Sequence, residues 1–560
     1  MIPFLRPVDR VSEKETERGL TMLILDGIFA QIMGVLIGGA FIVAYALKIG
    51  ATNKIIGLLA AISPLAQILQ IPTIFLIEKI RYRKFLVVLT VVLGRCLWLL
   101  IAMLPWLAPR GLWMPLFISA QLVYYALSAV AGCSWNSWIR DFVPEKLMGG
   151  YFAKRAAWLT AFGAAISIAA GIAAARFEKP EPMPEAAPQV QVESAQTTPP
   201  QAMQADKSTE VVRREVLVYS LIIGVGTVFG LIGSLFLAAV PEPRMAPAQG
   251  ASLLAILAEP FRDRNFRMLL VFLGWWSFAM NLAAPFFVVY MLKQLHLGMG
   301  WVIGLSVVSQ AFNVFFFKVW GRLADRFSNK SCLMVSGTLF VFSIALWPFM
   351  TMPDPHFLTL PLLIVFHALA GMSTAGVGLC AGNIALKAAP YGRATAYLAV
   401  NALVGGSAAI VAPLIAGTAA DWLESQQLKL TFTWVASGRQ FLLPALDIRG
   451  LDFVFAASFL LGLFALHRLL AVKEVGEVEE AIVREQLMLE IRKVVRHVSN
   501  VAGIRQITHF PYMVLRYVFH SSGYACPGET SAAQTGTDGG GCFGCCSPVG
   551  NRIQCRHENE

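Results

Sequence analysis

Charge is scarce in this chain. Asp, Glu, Lys and Arg make up 14% of its 560 residues and 57% are hydrophobic, where soluble domains carry roughly 25% charged residues. That deficit excludes a water-exposed surface for most of the chain. The alternating segments of about 10 residues that build a membrane β-barrel are also missing. There is no Gly-rich loop of the P-loop type, so ATP-driven chemistry is not expected. No nucleophile–base arrangement and no nucleic-acid motif is legible, so neither catalysis nor nucleic-acid binding is expected. The nine cysteines form no evident disulfide framework. Cys96, Cys133, Cys332 and Cys380 fall in or beside apolar runs, while Cys526, Cys542, Cys545, Cys546 and Cys555 crowd the tail. Cys542-x-x-Cys545-Cys546 with His557 offers metal-type ligands, but the Gly-rich surroundings lack paired knuckle spacing, so no metal and no cofactor is expected.

Long apolar runs are what the chain has in quantity. A hydrocarbon core about 30 Å thick takes roughly 20 helical residues to cross. Suitable runs cover 20–47, 55–78, 85–107, 112–134, 156–176, 215–240, 267–292, 298–319, 331–352, 357–386, 394–420 and 450–471. Only helices satisfy their own backbone groups in lipid, so the expected fold is all-α, with twelve transmembrane helices. The first run exceeds a signal-peptide core, although Ala44-Tyr45-Ala46 imitates a cleavage site, and it reads as span one.

Basic residues mark one side of the membrane. They recur at Arg6, Arg10, Lys14 and Arg18, at Lys79 to Lys84, at Arg140 to Arg155, at Arg244 to Arg267, at Lys318 to Lys330, and at Lys387 and Arg393. The opposite short loops hold little beyond Lys48, Lys54, Arg110 and Lys293. The positive-inside rule then puts both termini in the cytoplasm of a bacterial inner (plasma) membrane. It also accounts for the net charge of +11 without nucleic acid. The organisation read from this is a cytoplasmic arm (1–19), a six-helix bundle (20–240), a cytoplasmic linker (241–266) and a second six-helix bundle (267–471). A cytoplasmic amphipathic helix (472–520) and a disordered Cys-rich tail (521–560) follow, and 177–212, rich in Pro, Gln, Ala and Glu, reads as a disordered outer loop.

The two halves repeat. Glu78 in the loop after span two and Asp325 in the loop after span eight lie 247 residues apart. Pro144 and Pro390 lie 246 apart, and Gly163, Ser167 and Gly171 of span five match Ala409, Pro413 and Gly417 of span eleven at that same offset. Small residues at four-residue spacing let helices approach closely. Parallel six-helix repeats are one way transporters are built.

These residues carry a resemblance. Gly321-Arg322-Leu323-Ala324-Asp325-Arg326-Phe327-Ser328-Asn329-Lys330 resembles the major facilitator signature G-x-L-A-D-R-x-G-R-K. Asp141 to Arg155, with Pro144 and Gly149, resembles that family's loop between spans four and five. The first-half copy departs from the pattern, with Ile74 at the leading Gly and Glu78 for Asp. The resemblance implies a gate made of Gly321, Asp325, Arg326, Lys330, Glu78, Arg155 and Arg393. Asp325 would meet the start of span five near Arg155, and Glu78 the start of span eleven near Arg393. A carboxylate at a helix N-terminus gains about 0.3–1 kcal/mol, and these contacts would form only with the cytoplasmic side closed.

The remaining candidates line an expected cavity. Asp26 lies inside span one, and Arg95 near the centre of span three is too deep to snorkel easily. Asp26 is the one acid away from the ends of the first-half spans, so the two are expected to pair, either as a coupling site or as a static ion pair. Gln31, Gln121, Asn281, Trp276 and His367 complete the set; each has an ordinary packing role as its alternative. The function expected is secondary active transport of a small solute by a monomer, with protons as the coupling ion and membrane lipid as surroundings. A non-transporting sensor or assembly protein of the same fold is the alternative, and a lipid-linked transferase would need a catalytic cluster that is not seen.

Overall fold

The computed structural model describes residues 7–9, 11–177, 201–245, 259–351, 356–389, 394–436, 439–474 and 480–501. Arg393 and the Cys-rich tail lie outside the described residues. Among the described residues, eleven helices are long and apolar enough to cross a membrane, and the shorter apolar helix Asn329–Ile344 makes a twelfth.

The first half runs α1 (Glu13–Ile37), α2 (Gly39–Lys48), α3 (Asn53–Gln67), α4 (Gln70–Ile80), α5 (Arg83–Leu107), α6 (Trp113–Phe142), α7 (Glu145–Phe177) and α8 (Gln201–Ala239). The second runs α9 (Arg264–Ala283), α10 (Phe286–Lys293), α11 (Met299–Arg326), α12 (Asn329–Ile344), α13 (Thr359–Ala388), α14 (Ala394–Leu423) and α15 (Leu451–Leu469). Helix α16 (Glu480–Val501) follows. Spans one, two and seven are each two helices in series. The terminal face carries residues 7–9, 11–13 and 472–474; the opposite, hairpin face carries an antiparallel strand pair.

Local chemistry explains the boundaries. Ser12 caps α1 in a capping box, its hydroxyl accepting from the Glu15 N–H and the Glu15 carboxylate accepting from the Ser12 N–H at 2.9 Å. Span one therefore begins at 13, about two turns before the apolar run. It breaks at Gly38, which is extended, beside Gly39 at φ +53°. Span seven breaks at Ala284-Pro285, 246 residues on, where proline cannot continue the ladder. The repeat also shows in packing. Tyr45 donates to the Ile101 carbonyl at 3.1 Å, and Tyr290 to the Trp347 carbonyl at 3.3 Å, again one repeat apart. Trp347 is the hub of the second half, packed by Phe287, Tyr290, Phe366 and Phe455.

Three elements differ from the sequence reading. Residues 201–212, expected to be disordered, open α8 as helix; Gln, Ala, Met and Lys there are good helix formers. The segment between spans eleven and twelve is an antiparallel hairpin, β1 (Gln427–Ala436) with β2 (Arg439–Arg449). Leu428, Leu430, Phe432 and Trp434 alternate along β1 and are exposed. Helix α16 falls within the segment read as a membrane-surface helix (472–520), yet it buries Val483 and Leu487 against protein, and Glu490 reaches Arg322 of α11 at 3.5 Å.

Candidate functional site

The two bundles meet at the hairpin face. A Cβ on Gly57 of α3 would lie 2.2 Å from the Pro413 carbonyl oxygen of α14, and one on Gly417 would lie 2.6 Å from the Asn53 carbonyl oxygen. Asp421 at the end of α14 locks this seam: its two oxygens accept the Asn53 and Lys54 N–H groups at 2.9 and 3.0 Å. It caps the N-terminus of α3 across the bundle interface. On the other flank Gly171 of α7 packs on Ile303 of α11, and Gly300 on Ala175. Of the six small residues that repeat in spans five and eleven, Gly171, Pro413 and Gly417 are thus placed at contacts between the bundles.

At the terminal face α7 and α11 part. A crevice of about 550 Å³ between α7 and α11 is lined by Thr160, Gln310, Phe315, Lys318 and Arg322. Glu78 and Asp325 are exposed, and their carboxylates have no partner among the described residues. Arg155 does not meet Asp325. Its Nε donates to the Leu23 carbonyl at 3.3 Å and its guanidinium lies over Trp135 at 5.3 Å. Arg326 lies over Phe327, and Gly321 is half-buried beside Leu379. For Asp325 and Arg155 the physical reason is the open crevice between α7 and α11.

Asp26 and Arg95 come together inside the first bundle. Arg95 Nη2 lies 3.7 Å from Asp26 Oδ1, with both side chains under a tenth exposed. Arg95 is held independently by the Gly230 carbonyl and by Ser234 Oγ at 2.6 Å on α8. Asp26 Oδ1 is buried without a hydrogen bond. Gly27 leaves room for the Arg155 guanidinium, whose Nη2 would be 2.8 Å from a Cβ there. Two arginines from α5 and α7 thus flank the turn of α1 that carries Asp26.

The other cavity candidates scatter. Gln31 packs against Gly163, and Gln121 is buried with its carbonyl unpartnered. Asn281 Nδ2 donates to the Ser277 carbonyl at 2.8 Å. Trp276 is buried against Phe272, Phe340 and Gly337 within the second bundle. His367 Nδ1 pairs with the Leu363 carbonyl at 2.8 Å and its ring meets Phe366 edge-on.

The sequence reading missed a charge cluster at each terminal end. In the first half Arg83 is fully buried. Its Nε donates to Glu242 at 3.2 Å, its Nη2 to the Pro243 carbonyl at 2.8 Å, and its Nη1 to Asp141. Glu242 also accepts the Arg83 and Lys84 N–H groups at 2.8 and 3.1 Å, capping α5. In the second half Glu474 accepts the Lys330 N–H at 2.6 Å and Asn329 Nδ2 at 2.9 Å, capping α12. Lys330, read as a gate residue, is therefore buried in this cluster. Arg83 and Lys84 match Asn329 and Lys330 at the 246 offset. Glu242 and Glu474 are only 232 apart, so a fixed-offset comparison passes over them.

The two acids titrate in opposite directions. Burial pushes the Glu242 carboxyl above its ordinary value, despite the donors around it. Burial also opposes ionisation of Glu474, but the Asn329 and Lys330 donors, with Lys387 nearby, outweigh it and hold that carboxyl below its ordinary value. The folded state therefore binds the Glu474 proton less tightly than the unfolded chain. Its stabilisation is complete above the usual carboxylate range and is lost as pH falls through the folded value. Glu474→Gln should cost about 1–3 kcal/mol at neutral pH, and melting curves of the two proteins should converge in acid.

This architecture can be placed among known proteins. The sequence profile of the Major Facilitator Superfamily matches residues 23–413. The chain belongs to that superfamily. Its major facilitator fold is shared with solved transporters at low identity. The nucleoside transporter NupG is 11% identical, with a TM-score of 0.55 over 81% of this chain and 98% of that one. A D-xylose–proton symporter is 11% identical, with a TM-score of 0.54 over 83% and 98%. A bacterial homologue of the human lysosomal transporter Spinster, in its inward-facing unoccupied conformation, is 13% identical, with a TM-score of 0.53 over 82% and 98%. No curated protein sequence matches the chain. As a major facilitator protein it is a multi-pass membrane solute transporter and not an enzyme.

Proposed function

We propose that this protein is a secondary active transporter that moves a small solute by alternating access, with Asp26 carrying a coupling proton. It acts as a monomer in a bacterial plasma membrane with its terminal face in the cytoplasm. The arrangement described above is then an inward-facing one, sealed at the hairpin face and open at the terminal face. The observation that carries the coupling role is the contrast between two buried ion pairs. Glu242 is fully engaged by Arg83 and two backbone N–H groups, as a structural pair should be. Asp26 Oδ1 stands 3.7 Å from Arg95 Nη2 and accepts no hydrogen bond. Arg95 keeps its own partners on α8, so Asp26 can take up a proton without stranding the arginine's charge.

The test begins with a thermal-shift panel of nucleosides, sugars, organic anions, amino acids, peptides and drugs. A ligand at about 100 times its Kd adds roughly 2.7 kcal/mol of stability. The hit is then followed in proteoliposomes. A gradient of one pH unit is equivalent to about 1.4 kcal/mol and should accumulate solute about tenfold for one coupled proton. Asp26→Asn should abolish that accumulation and retain solute exchange at equilibrium. Accumulation by Asp26→Asn at the wild-type level would exclude the coupling role.

A further inference from the structure

The second bundle has a groove on its flank that the transport reading does not use. It has a volume of about 420 Å³ and lies on α9, with α14 on one side and the start of the second half at its terminal end. Its walls include Leu270, Gly274, Trp275, Phe278 and Val404. Trp275 also meets Phe464 of α15 edge-on at 5.2 Å. Hydrogen bonds from Ser277 to the Gly405 carbonyl (3.0 Å) and from Ser458 to the Ala279 carbonyl (2.7 Å) hold α14 and α15 on either side of α9. A Cβ on Gly274 would stand 3.0 Å from Val404, so glycine keeps the floor deep.

We propose that this groove binds an anionic phospholipid of the leaflet at the terminal face, one acyl chain in the groove and the phosphate on Arg267. Three observations converge on that occupant. The first is polarity. Apart from the Trp275 indole, Arg267 is the one polar lining side chain, so a polar solute would find no partners along its length. The second is reach. Arg267 to Phe278 spans eleven residues, about 16 Å at ~1.5 Å each, which is about half of a ~30 Å hydrocarbon core and so one leaflet. The third is charge. Arg262, Arg264 and Arg267 are all exposed around the mouth. Asp263 beside them spends its carboxylate on the Asn265 and Phe266 N–H groups at 2.8 and 3.1 Å. Basic clusters at the ends of transmembrane helices attract anionic headgroups. The groove is also continuous with lipid-facing surface, since Leu460 and Phe464 on α15 and Leu403 and Val411 on α14 are exposed apolar side chains.

Trp275 reports on its own site. The full chain in phosphatidylcholine nanodiscs is supplied with phosphatidylglycerol brominated on its acyl chains. The Trp275 signal is the fluorescence difference between wild type and Trp275→Phe. Brominated phosphatidylglycerol should quench that signal saturably, and brominated phosphatidylcholine should need a higher mole fraction. Arg267→Gln should raise the phosphatidylglycerol midpoint about fivefold, the factor carried by one arginine near an anionic lipid. Arg267→Lys should retain most of the preference, which separates lost charge from misfolding. High salt should weaken phosphatidylglycerol and leave phosphatidylcholine unchanged. Equal quenching by the two lipids, or no change in Arg267→Gln, overturns the proposal. Displacement by water-soluble glycerol 3-phosphate overturns it too, because the site would then read a free phosphate.

Discussion

An Arg83→Met protein should lose about 3–5 kcal/mol of stability, the cost of breaking a buried pair by removing one partner. Arg83 joins the start of α5, the end of α6 through Asp141, and the segment after α8 through Glu242 and Pro243. Without its guanidinium, Glu242 stays fully buried, faced by the backbone N–H groups of α5 and the charge of Lys84. Thermal melts in detergent should show the loss directly. Arg83→Met with Glu242→Leu should be less destabilised than Arg83→Met alone, because no charge is then stranded. If Arg83→Met melts within about 0.5 kcal/mol of wild type, the ordinary range for surface changes, the cluster does not hold the first bundle together.

Gly57→Leu should stop transport while leaving each bundle folded. The Pro413 carbonyl occupies the space a Cβ would need, at 2.2 Å. Backbone on both sides of the contact leaves no flexible side chain to give way, so the hairpin face cannot shut on a larger residue. A penalty of about 3 kcal/mol on the sealed form, the upper end for overpacking, shifts a two-state ratio by roughly a hundredfold. Spin labels at Arg110 and Phe357, one on each bundle at the hairpin face, should move apart in Gly57→Leu. Gly57→Ala should show a smaller shift of the same sign. An unchanged distance distribution would mean that α3 and α14 do not form the seal.

Some of this was legible in the residues themselves. Asp26 could be matched to Arg95 by elimination, because buried charges need partners and the first-half spans hold one acid away from their ends. The repeat was legible in Glu78 and Asp325, in Pro144 and Pro390 and in the small residues of spans five and eleven, and the breaks at Gly38 and Ala284 keep the 246 offset. Other features were present in the sequence and unread. Leu428, Leu430, Phe432 and Trp434 alternate as a strand does, and Ser12 with Glu15 spells a capping box. In the sequence Arg83 is one more basic loop residue, since a charge that sets topology and a charge buried in a cluster look alike before folding. His367 and Trp276 could have faced a cavity or a core, and helix rotation decided for the core.

The sequence by itself determined the solvent, the number of crossings and the twofold plan. Each follows from the cost of placing charge and unpaired backbone in hydrocarbon, which depends on composition and spacing along one segment. Which charges meet, which face is sealed and where grooves open was decided only by the tertiary structure. Those outcomes depend on side chains hundreds of residues apart, such as Asn53 with Asp421 or Arg83 with Glu242. Their separation in space is set by how twelve apolar helices pack, and one apolar surface leaves little trace of which other it will bury.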